Sequence, residues 1–346
     1  MIRIAGTLVQ AGFEVSIIGR SKNRSYNTDY QEFKIERFKC WFNKGFLFYK
    51  EYNLRLLFYL LFRKKYEIVC ACDTDTLAGA ALGGRLRGSK LVYDAHEWFT
   101  EVPELEGKAF KKAIWKLIEN IYMGWTDLRY TVNVSLAKIF QDRFNKAFHT
   151  IRNLPIREEY KSSVKEEPPV ILYQGALNKG RGLEESIDAI QFLPGFQLWL
   201  VGEGDLSMEL RNRAKAAGLD AQVKFYGYQL PEELKTLTPV CFVGLNLLKG
   251  DSRNYFYSLA NKFFDYLQAG LPSINMRFPE YEILEDQYSC SILVDECSPQ
   301  AIVKAVKLLY DDKQLYQDKV NASLAAAKDL HWEKEAQKLI ELYKVL

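Results

Sequence analysis

The chain has 346 residues, 48% hydrophobic and 26% charged, with a net charge of +3. That length is large for one core and fits two domains of ordinary soluble globular composition. Residues 1–155 carry 25 Lys/Arg and 16 Asp/Glu, a balance of +9, which leaves −6 on the rest and suggests two modules with different partners.

Ile2 to Ala11 reads as an amphipathic helix closed by Gly12, and Phe13 to Gly19 as a buried strand. An α/β domain normally opens with a strand whose loop meets the N-terminus of such a helix, and that strand and loop are missing here. The opening has neither an unbroken apolar core nor a small-residue cleavage site, so a secretory leader is not expected. Residues 20–45 are weakly periodic. Residues 46–65 form an aromatic-rich helix ending in Arg63-Lys64-Lys65. Its uncharged run, LLFYLLF, is far too short to span a membrane; the helix either packs on a sheet or lies on a membrane surface.

Clear α/β rhythm follows: strand Tyr66 to Cys72, helix Thr74 to Leu86 and strand Lys90 to Ala95. Helix 106–124, strand Leu128 to Val132, a helix capped by Ser135 and strand 149–156 complete a domain over 1–156. Residues 157–168 are polar and turn-prone, a linker. A second domain, 169–330, has strands Pro169 to Gln174, Phe196 to Gly202, Val223 to Tyr226, Cys241 to Leu247, Ser273 to Met276 and Ser291 to Asp295. Helices reach Phe192, cover Leu206 to Ala217 and Glu232 to Leu237, and end the chain at 299–310, 312–329 and 332–344. The apolar runs do not alternate, as in parallel strands covered on both faces. The architecture expected is two consecutive doubly wound α/β domains, with a ligand between them at the C-terminal ends of strands.

The loop Gly175-Ala-Leu-Asn-Lys-Gly-Arg-Gly182 follows a strand and opens a helix. Its glycines let backbone amides approach an anion, the helix N-terminus adds a favourable dipole, and Lys179 and Arg181 add charge. Diphosphate is the natural guest; the plain alternative is a glycine turn with solvated basic side chains. The spacing is neither a Walker loop nor a Rossmann fingerprint. Gly202-Glu203-Gly204 is a second strand-to-helix turn of the same two readings. In Ser258 to Asn275, SLANKFFDYLQAGLPSIN, a short helix is stopped by Gly270 and Pro272. Asn261 and Lys262 fall near Asp265 on one face. They either grip a sugar or ribose, or Lys262 and Asp265 form an ion pair worth about 0.3 kcal/mol. His96, in a strand-end loop with Asp94 and Glu97, is either functional or structural; His149 and His331 read as structural. The six cysteines lack metal-ligand spacing, Cys70-Ala71-Cys72 being too close for a metal knuckle, so buried thiols in a reducing compartment are expected. No nucleic-acid recognition motif is present.

Together the segments DAHE, RNLP, YQGALNKGRGLEE, LVGEGDLSMELR, VKFYGY, SLANKFFDYLQAGLPSI and NASLAAAKDLHWEKE resemble the family 4 retaining glycosyltransferases, the group 1 type with the GT-B fold. The resemblance covers nearly the whole chain. It implies two Rossmann-like domains facing a cleft, with the last helix, 331–346, crossing back to the first domain. Asp265 would bind the donor ribose. Gly175, Lys179 and Arg181 would hold the donor diphosphate, and Gly202 and Glu203 would approach the nucleotide. Ser258, Asn261 and Lys262 would lie near the donor sugar or phosphate, and catalytic His96 beside the transferred sugar and acceptor. The partners implied are a nucleotide diphosphate sugar and a glycan or lipid-linked acceptor of cell-envelope or polysaccharide synthesis, with no metal and no cofactor. The chain departs from the family in having Asp265 and Tyr257 where two glutamates often stand eight apart, and Ala176 where many relatives have arginine. A cytoplasmic protein is expected, with weak contact between the basic first domain and the inner face of the membrane. The rival readings are a non-catalytic relative that binds nucleotide or a partner protein, and a sugar-nucleotide epimerase on the same fold.

Overall fold

The computed structural model describes residues 1–21, 32–63, 65–160 and 163–346. Lys64 of the basic cluster, residues 161–162 of the linker and residues 22–31 lie outside them. Two compact units result: Met1–Arg152 with Glu333–Leu346, and Asn153–Trp332.

The first unit runs α1 (Ile2–Gln10), β1 (Ser16–Arg20), β2 (Lys34–Phe38), α2 (Gly45–Phe62), β3 (Ile68–Cys72), α3 (Thr74–Leu86), β4 (Lys90–Ala95), α4 (Ala109–Tyr122), β5 (Leu128–Thr131), α5 (Val134–Phe144) and β6 (His149–Thr150). β3, β4, β5 and β6 form a parallel sheet in that order, while β1 and β2 form a separate parallel pair. The small residues of α3 serve close packing on α2. A Cβ at Gly79 would meet the Asn53 carbonyl oxygen at 2.6 Å, and one at Gly83 would meet Leu60 at 2.8 Å. The Asn53 side chain ties the two helices, accepting from Gly79 N and donating to the Asp75 carbonyl.

The second unit runs β7 (Val170–Gln174), α6 (Leu183–Ile190), β8 (Gln197–Val201), α7 (Ser207–Ala216), β9 (Val223–Gly227), α8 (Pro231–Leu237), β10 (Val243–Asn246), α9 (Arg253–Phe256), α10 (Asn261–Gln268), β11 (Ser273–Met276), α11 (Pro279–Tyr288), β12 (Ser291–Val294), α12 (Pro299–Asp311) and α13 (Lys313–Asp329). The last helix, α14 (Trp332–Lys344), groups from Glu333 with the first unit. All six strands are parallel, in the order β12-β11-β10-β7-β8-β9. Every residue of β7, β10 and β11 is buried, as helices on both faces require. The chain winds outward from β7 on one side and from β10 on the other. The β7/β10 boundary is therefore the switch point, and the crevice at its C-terminal end is where such sheets take ligands.

Several expectations change. Of the strand expected over 149–156, only His149–Thr150 pairs. Leu154 is instead fully buried in the core of the second unit. The polar stretch expected to link the domains groups with the second unit as well: Glu166 N donates to the Val240 carbonyl and Lys165 Nζ to that of Pro239. Asn133, not Ser135, caps α5, its Oδ1 accepting from Leu136 N at 2.8 Å. β2, α9 and α11 escaped the sequence reading. Among the described residues, no helix is long and apolar enough to cross a membrane.

Candidate functional site

The switch point of the second unit is built from glycine. Gly175 leaves β7 with φ +130° and Gly202 leaves β8 with φ +138°. A Cβ on Gly202 would sit 1.9 Å from the Gly175 carbonyl oxygen, so the two turns close on each other only because Gly202 carries no side chain. Gly175 N donates to the Val201 carbonyl and Gly202 N to that of Gly227, which locks both turns to the sheet. A Cβ on Gly204 would lie 2.5 Å from the Leu177 carbonyl oxygen, so the second turn nests against the first.

Lys262 and Arg181 come together beside Gly175. Lys262, on the first turn of α10, is 8% exposed, and its Nζ lies 3.6 Å from the centre of the Tyr173 ring. It is also 3.6 Å from where a Gly175 Cβ would be. Burial, then the charge of Arg181, push its pKa well below the ordinary lysine value, and the attraction of Asp265 is weaker than either. Burial pulls on Arg181 as well, but the hydroxyls of Tyr173 and Tyr255 outweigh it and raise its pKa. Arg181 Nε is buried without a hydrogen-bond partner among the described residues. A buried lysine whose proton is disfavoured by burial and by the Arg181 charge, beside a guanidinium with an unmet buried donor, makes a site that favours an anion.

Asp265 faces the same strand end, its Oδ2 accepting from Gln174 Nε2 at 3.0 Å, while Gln174 Oε1 accepts from Thr238 Oγ1. The lysine turns onto Tyr173 and the carboxylate onto Gln174, while Asp265 still attracts Lys262 electrostatically. Tyr173, Gln174 and Thr238 were missed from the sequence. Position alone signalled the first two, as the last residues of a strand before a glycine loop.

The other expected residues are placed as follows. Lys179 is exposed in the loop. Glu203 is exposed and pairs with Arg211 at 3.4 Å. Ser258 Oγ donates to the Tyr255 carbonyl, a local turn, and Asn261 Oδ1 accepts from Asn153 Nδ2. The structure brings Gly175, Arg181, Gly202, Lys262 and Asp265 to one strand end; Lys179, Glu203, Ser258 and Asn261 lie around it without such contacts.

In the first unit, His96 stands at the end of β4. Its Nε2 is 3.1 Å from Asp94 Oδ2, and its backbone N donates to Asp73 Oδ1 at 2.7 Å. Asp73 follows β3 at φ +58°, unusual for a residue with a side chain, and its own N donates to the Asp94 carbonyl. Burial would lower the His96 pKa, but the hydrogen bond and charge of Asp94, with the charge of Asp73, push it up to about 9. Burial pushes Asp73 up to about 7, the His96 charge opposing. His96 is thus an imidazolium at neutral pH, and with its folded pKa above the usual value of about 6.5, the sign is fixed. The stability it contributes is full below pH about 6.5 and is lost as pH rises through about 9. Asp94→Asn is expected to bring the His96 pKa back toward 6.5 and flatten this dependence, measured by NMR titration of the imidazole protons and by melting temperature against pH.

Cys70, Cys72 and Asp94 hold their potential ligand atoms within 4.8 Å of one another, a grouping that residue spacing did not reveal. Cys72 is held as a thiol: its hydrogen bond with Cys70, then burial, push its pKa well above the ordinary value. Cys70 and Cys72 are both half-buried, not the fully buried thiols expected.

Residues 156–326 match the family described as glycosyl transferases group 1. A stretch of 63 residues is 33% identical to the lipopolysaccharide core biosynthesis glycosyltransferase LpsE of Rhizobium meliloti, and covers only 18% of either chain. Two solved structures share the fold. HepE of Anabaena, in complex with UDP and glucose, has a TM-score of 0.77 at 16% identity, over 99% of this chain and 96% of its own. WaaG, a glycosyltransferase involved in lipopolysaccharide biosynthesis, has a TM-score of 0.73 at 15% identity, over 99% and 94%. The match to group 1 glycosyl transferases thus spans residues 156–326, in a chain with the two Rossmann-like units of the GT-B fold.

Proposed function

We propose that this chain is a metal-independent retaining glycosyltransferase of family 4. It moves a sugar from a nucleoside diphosphate sugar to a glycan or lipid-linked acceptor in cell-envelope or polysaccharide synthesis. The observation that carries this reading is the buried Lys262 with the half-buried Arg181 at the glycine-built end of β7. In the reaction the bond from the sugar to the diphosphate breaks, and a bond to an acceptor hydroxyl forms on the same face. The departing diphosphate takes the acceptor proton. Lys262, Arg181 and the amides of the two glycine turns stabilise the charge that develops on the leaving group. Asp265 binds the ribose hydroxyls, with Gln174 holding the carboxylate in place. His96, an imidazolium at neutral pH, donates to sugar or acceptor oxygens and does not act as a base.

HepE binds UDP and UDP-glucose, which makes a uridine donor the first to test. Calorimetric titration with UDP, GDP and ADP, without and with magnesium, is expected to show one nucleotide binding at micromolar Kd or tighter regardless of the metal. Asp265→Ala is expected to weaken that binding at least tenfold; unchanged affinity would remove its assigned role. A second reading, a nucleotide-binding relative without turnover, is favoured by Tyr257 at the position of an expected carboxylate. Nucleotide binding with neither transfer nor donor hydrolysis would establish it.

The site of action in this reading is cytoplasmic, at the inner face of the membrane, with the first unit docking weakly. α4 exposes Phe110 (79%), Leu117 and Ile121 beside exposed Lys111 and Lys116, the apolar-plus-cationic pairing that suits an anionic lipid surface. Sedimentation with vesicles containing anionic lipid is expected to show salt-sensitive binding that Phe110→Ser with Leu117→Ser reduces severalfold.

A further inference from the structure

Asp73 holds a backbone conformation that its side chain makes costly. Among the described residues, three other than glycine have positive φ. Two of them, Asn145 (φ 49°, ψ 44°) and Ser289 (φ 54°, ψ 38°), lie in the left-handed helical region and end α5 and α11, as is common at helix C-termini. Asp73 is different. Its φ of +58° goes with a ψ of 172°, a region essentially reserved for glycine. Glycine would take this turn without strain, so what the position gains from aspartate is the side chain.

That side chain does not serve its own helix. Asp73 stands at the N-cap of α3, where an aspartate ordinarily accepts from a backbone N–H of the first turn, as Asn133, Ser298 and Asp312 do for α5, α12 and α13. Asp73 makes no such bond. Its Oδ1 accepts instead from His96 N at 2.7 Å, and its own N donates to the Asp94 carbonyl at 2.8 Å. Cys72 and Asp94 are cross-strand partners of β3 and β4, so Asp73 reaches from the first residue beyond one strand to the turn beyond the other. From the far side, Thr131 Oγ1 at the end of β5 donates to the Ala95 carbonyl at 2.7 Å. Both polar groups of the Ala95–His96 peptide are thus tied to the ends of the neighbouring strands, while Asp94 Oδ2 holds the ring at Nε2.

We propose that Asp73 is a positioning residue for His96: its carboxylate fixes the His96 backbone so that the ring, engaged at Nε2 by Asp94, keeps Nδ1 for an oxygen of the acceptor or of the transferred sugar. The strain follows from that task, because the glycine-like conformation turns the Asp73 side chain off α3 and onto the next strand end. The catalytic part of this role rests on the reading of His96 as a donor to substrate oxygens; the fixing of the His96 backbone does not.

Three variants separate the side chain from the backbone. Asp73→Ala removes the carboxylate and keeps the strain, Asp73→Gly removes both, and Asp73→Asn keeps an oxygen acceptor together with the strain. Hydrogen exchange at the His96 amide is expected to accelerate at least tenfold in the Ala and Gly variants alike, and at most about threefold in the Asn variant, although the Gly variant melts above the Ala variant. Turnover, read as UDP released from UDP-glucose, is expected to fall at least tenfold in the same two variants. That loss is expected to vanish in a His96→Asn background, as it must if Asp73 acts through the histidine. Parent-like exchange in the Ala and Gly variants would overturn the inference. So would exchange and turnover that follow the melting temperature, near the parent in the Gly variant and impaired only in the Ala variant, because Asp73 would then serve stability alone. If the parent chain releases no UDP, the sugar-transfer reading fails for that donor, and the exchange rates at His96 by themselves support or overturn the placing of His96 by Asp73.

Discussion

Lys262→Met is expected to raise the melting temperature and, in the same variant, to weaken UDP binding at least a hundredfold. The two effects share one cause. An ammonium that is 8% exposed, pressed on an aromatic face and repelled by Arg181, is held in the folded protein at a cost. Replacing a buried charge by an apolar side chain of similar volume gains about 1–4 kcal/mol where the charge is poorly compensated. Against a bound diphosphate the same charge is worth about 2–5 kcal/mol when truncated, and about 2.7 kcal/mol is a hundredfold in Kd. The pH dependence follows from the depressed pKa. Between the folded value and the unfolded value of about 10.4 the unfolded chain holds more protons, so this group makes stability rise with pH across that window. Lys262→Met removes that rise. Binding of an anion restores the lysine's affinity for its proton, so titrations in buffers of different ionisation enthalpy are expected to show proton uptake near the folded pKa, and none in the variant. A surface ion pair with Asp265 would give the reverse, a stability change within about 0.5 kcal/mol and unchanged affinity for UDP.

The sequence made the parallel architecture legible because buried strands leave a plain mark: VILYQ and KLVYDA are near-continuous apolar runs, and both strands stand within a residue of where those runs place them. β2 left no such mark. Its KIERF is three-fifths charged, with Glu36 and Arg37 adjacent, and its burial is only partial. α5 shows a different limit, since Asn133 and Ser135 are both good caps and only the backbone decides which side chain reaches Leu136 N. The glycine loop and the helix within Ser258 to Asn275 were legible as candidate anion and sugar grips, each with a plain structural alternative. Their meeting was not. Spacing puts Lys262 and Asp265 on one face of a helix, but whether they meet each other or Tyr173 and Gln174, some ninety residues earlier, depends on how α10 lies across β7. The histidine site has the same structure of knowledge: Asp94 is two residues from His96, whereas Asp73 arrives from another strand.

Gly202→Ala is expected to destabilise the second unit by about 3 kcal/mol or more and to abolish nucleotide binding, and a comparison with Gly218→Ala separates the causes. Both glycines have positive φ, +138° for Gly202 and +69° for Gly218. At Gly218 a Cβ would meet nothing within 4 Å, so alanine there incurs only the left-handed backbone penalty of about 1 kcal/mol. At Gly202 the new Cβ would lie 1.9 Å from the Gly175 carbonyl oxygen, a backbone atom with no rotamer to escape into. Relief requires the ends of β7 and β8 to part, against the Gly175–Val201 and Gly202–Gly227 hydrogen bonds that hold them. Parting them also moves Gly175 away from Lys262, so the anion site loses its shape even where the unit remains folded. Urea unfolding, followed by hydrogen exchange in β7 and β8, is the measurement, with an unchanged m-value confirming that the midpoint shift reports stability. Equal losses in the two variants would mean that backbone conformation alone sets the cost, and that the turns have room for a side chain between them. A large loss only at Gly202 would establish that the close approach of the two turns is the element on which the anion site is built.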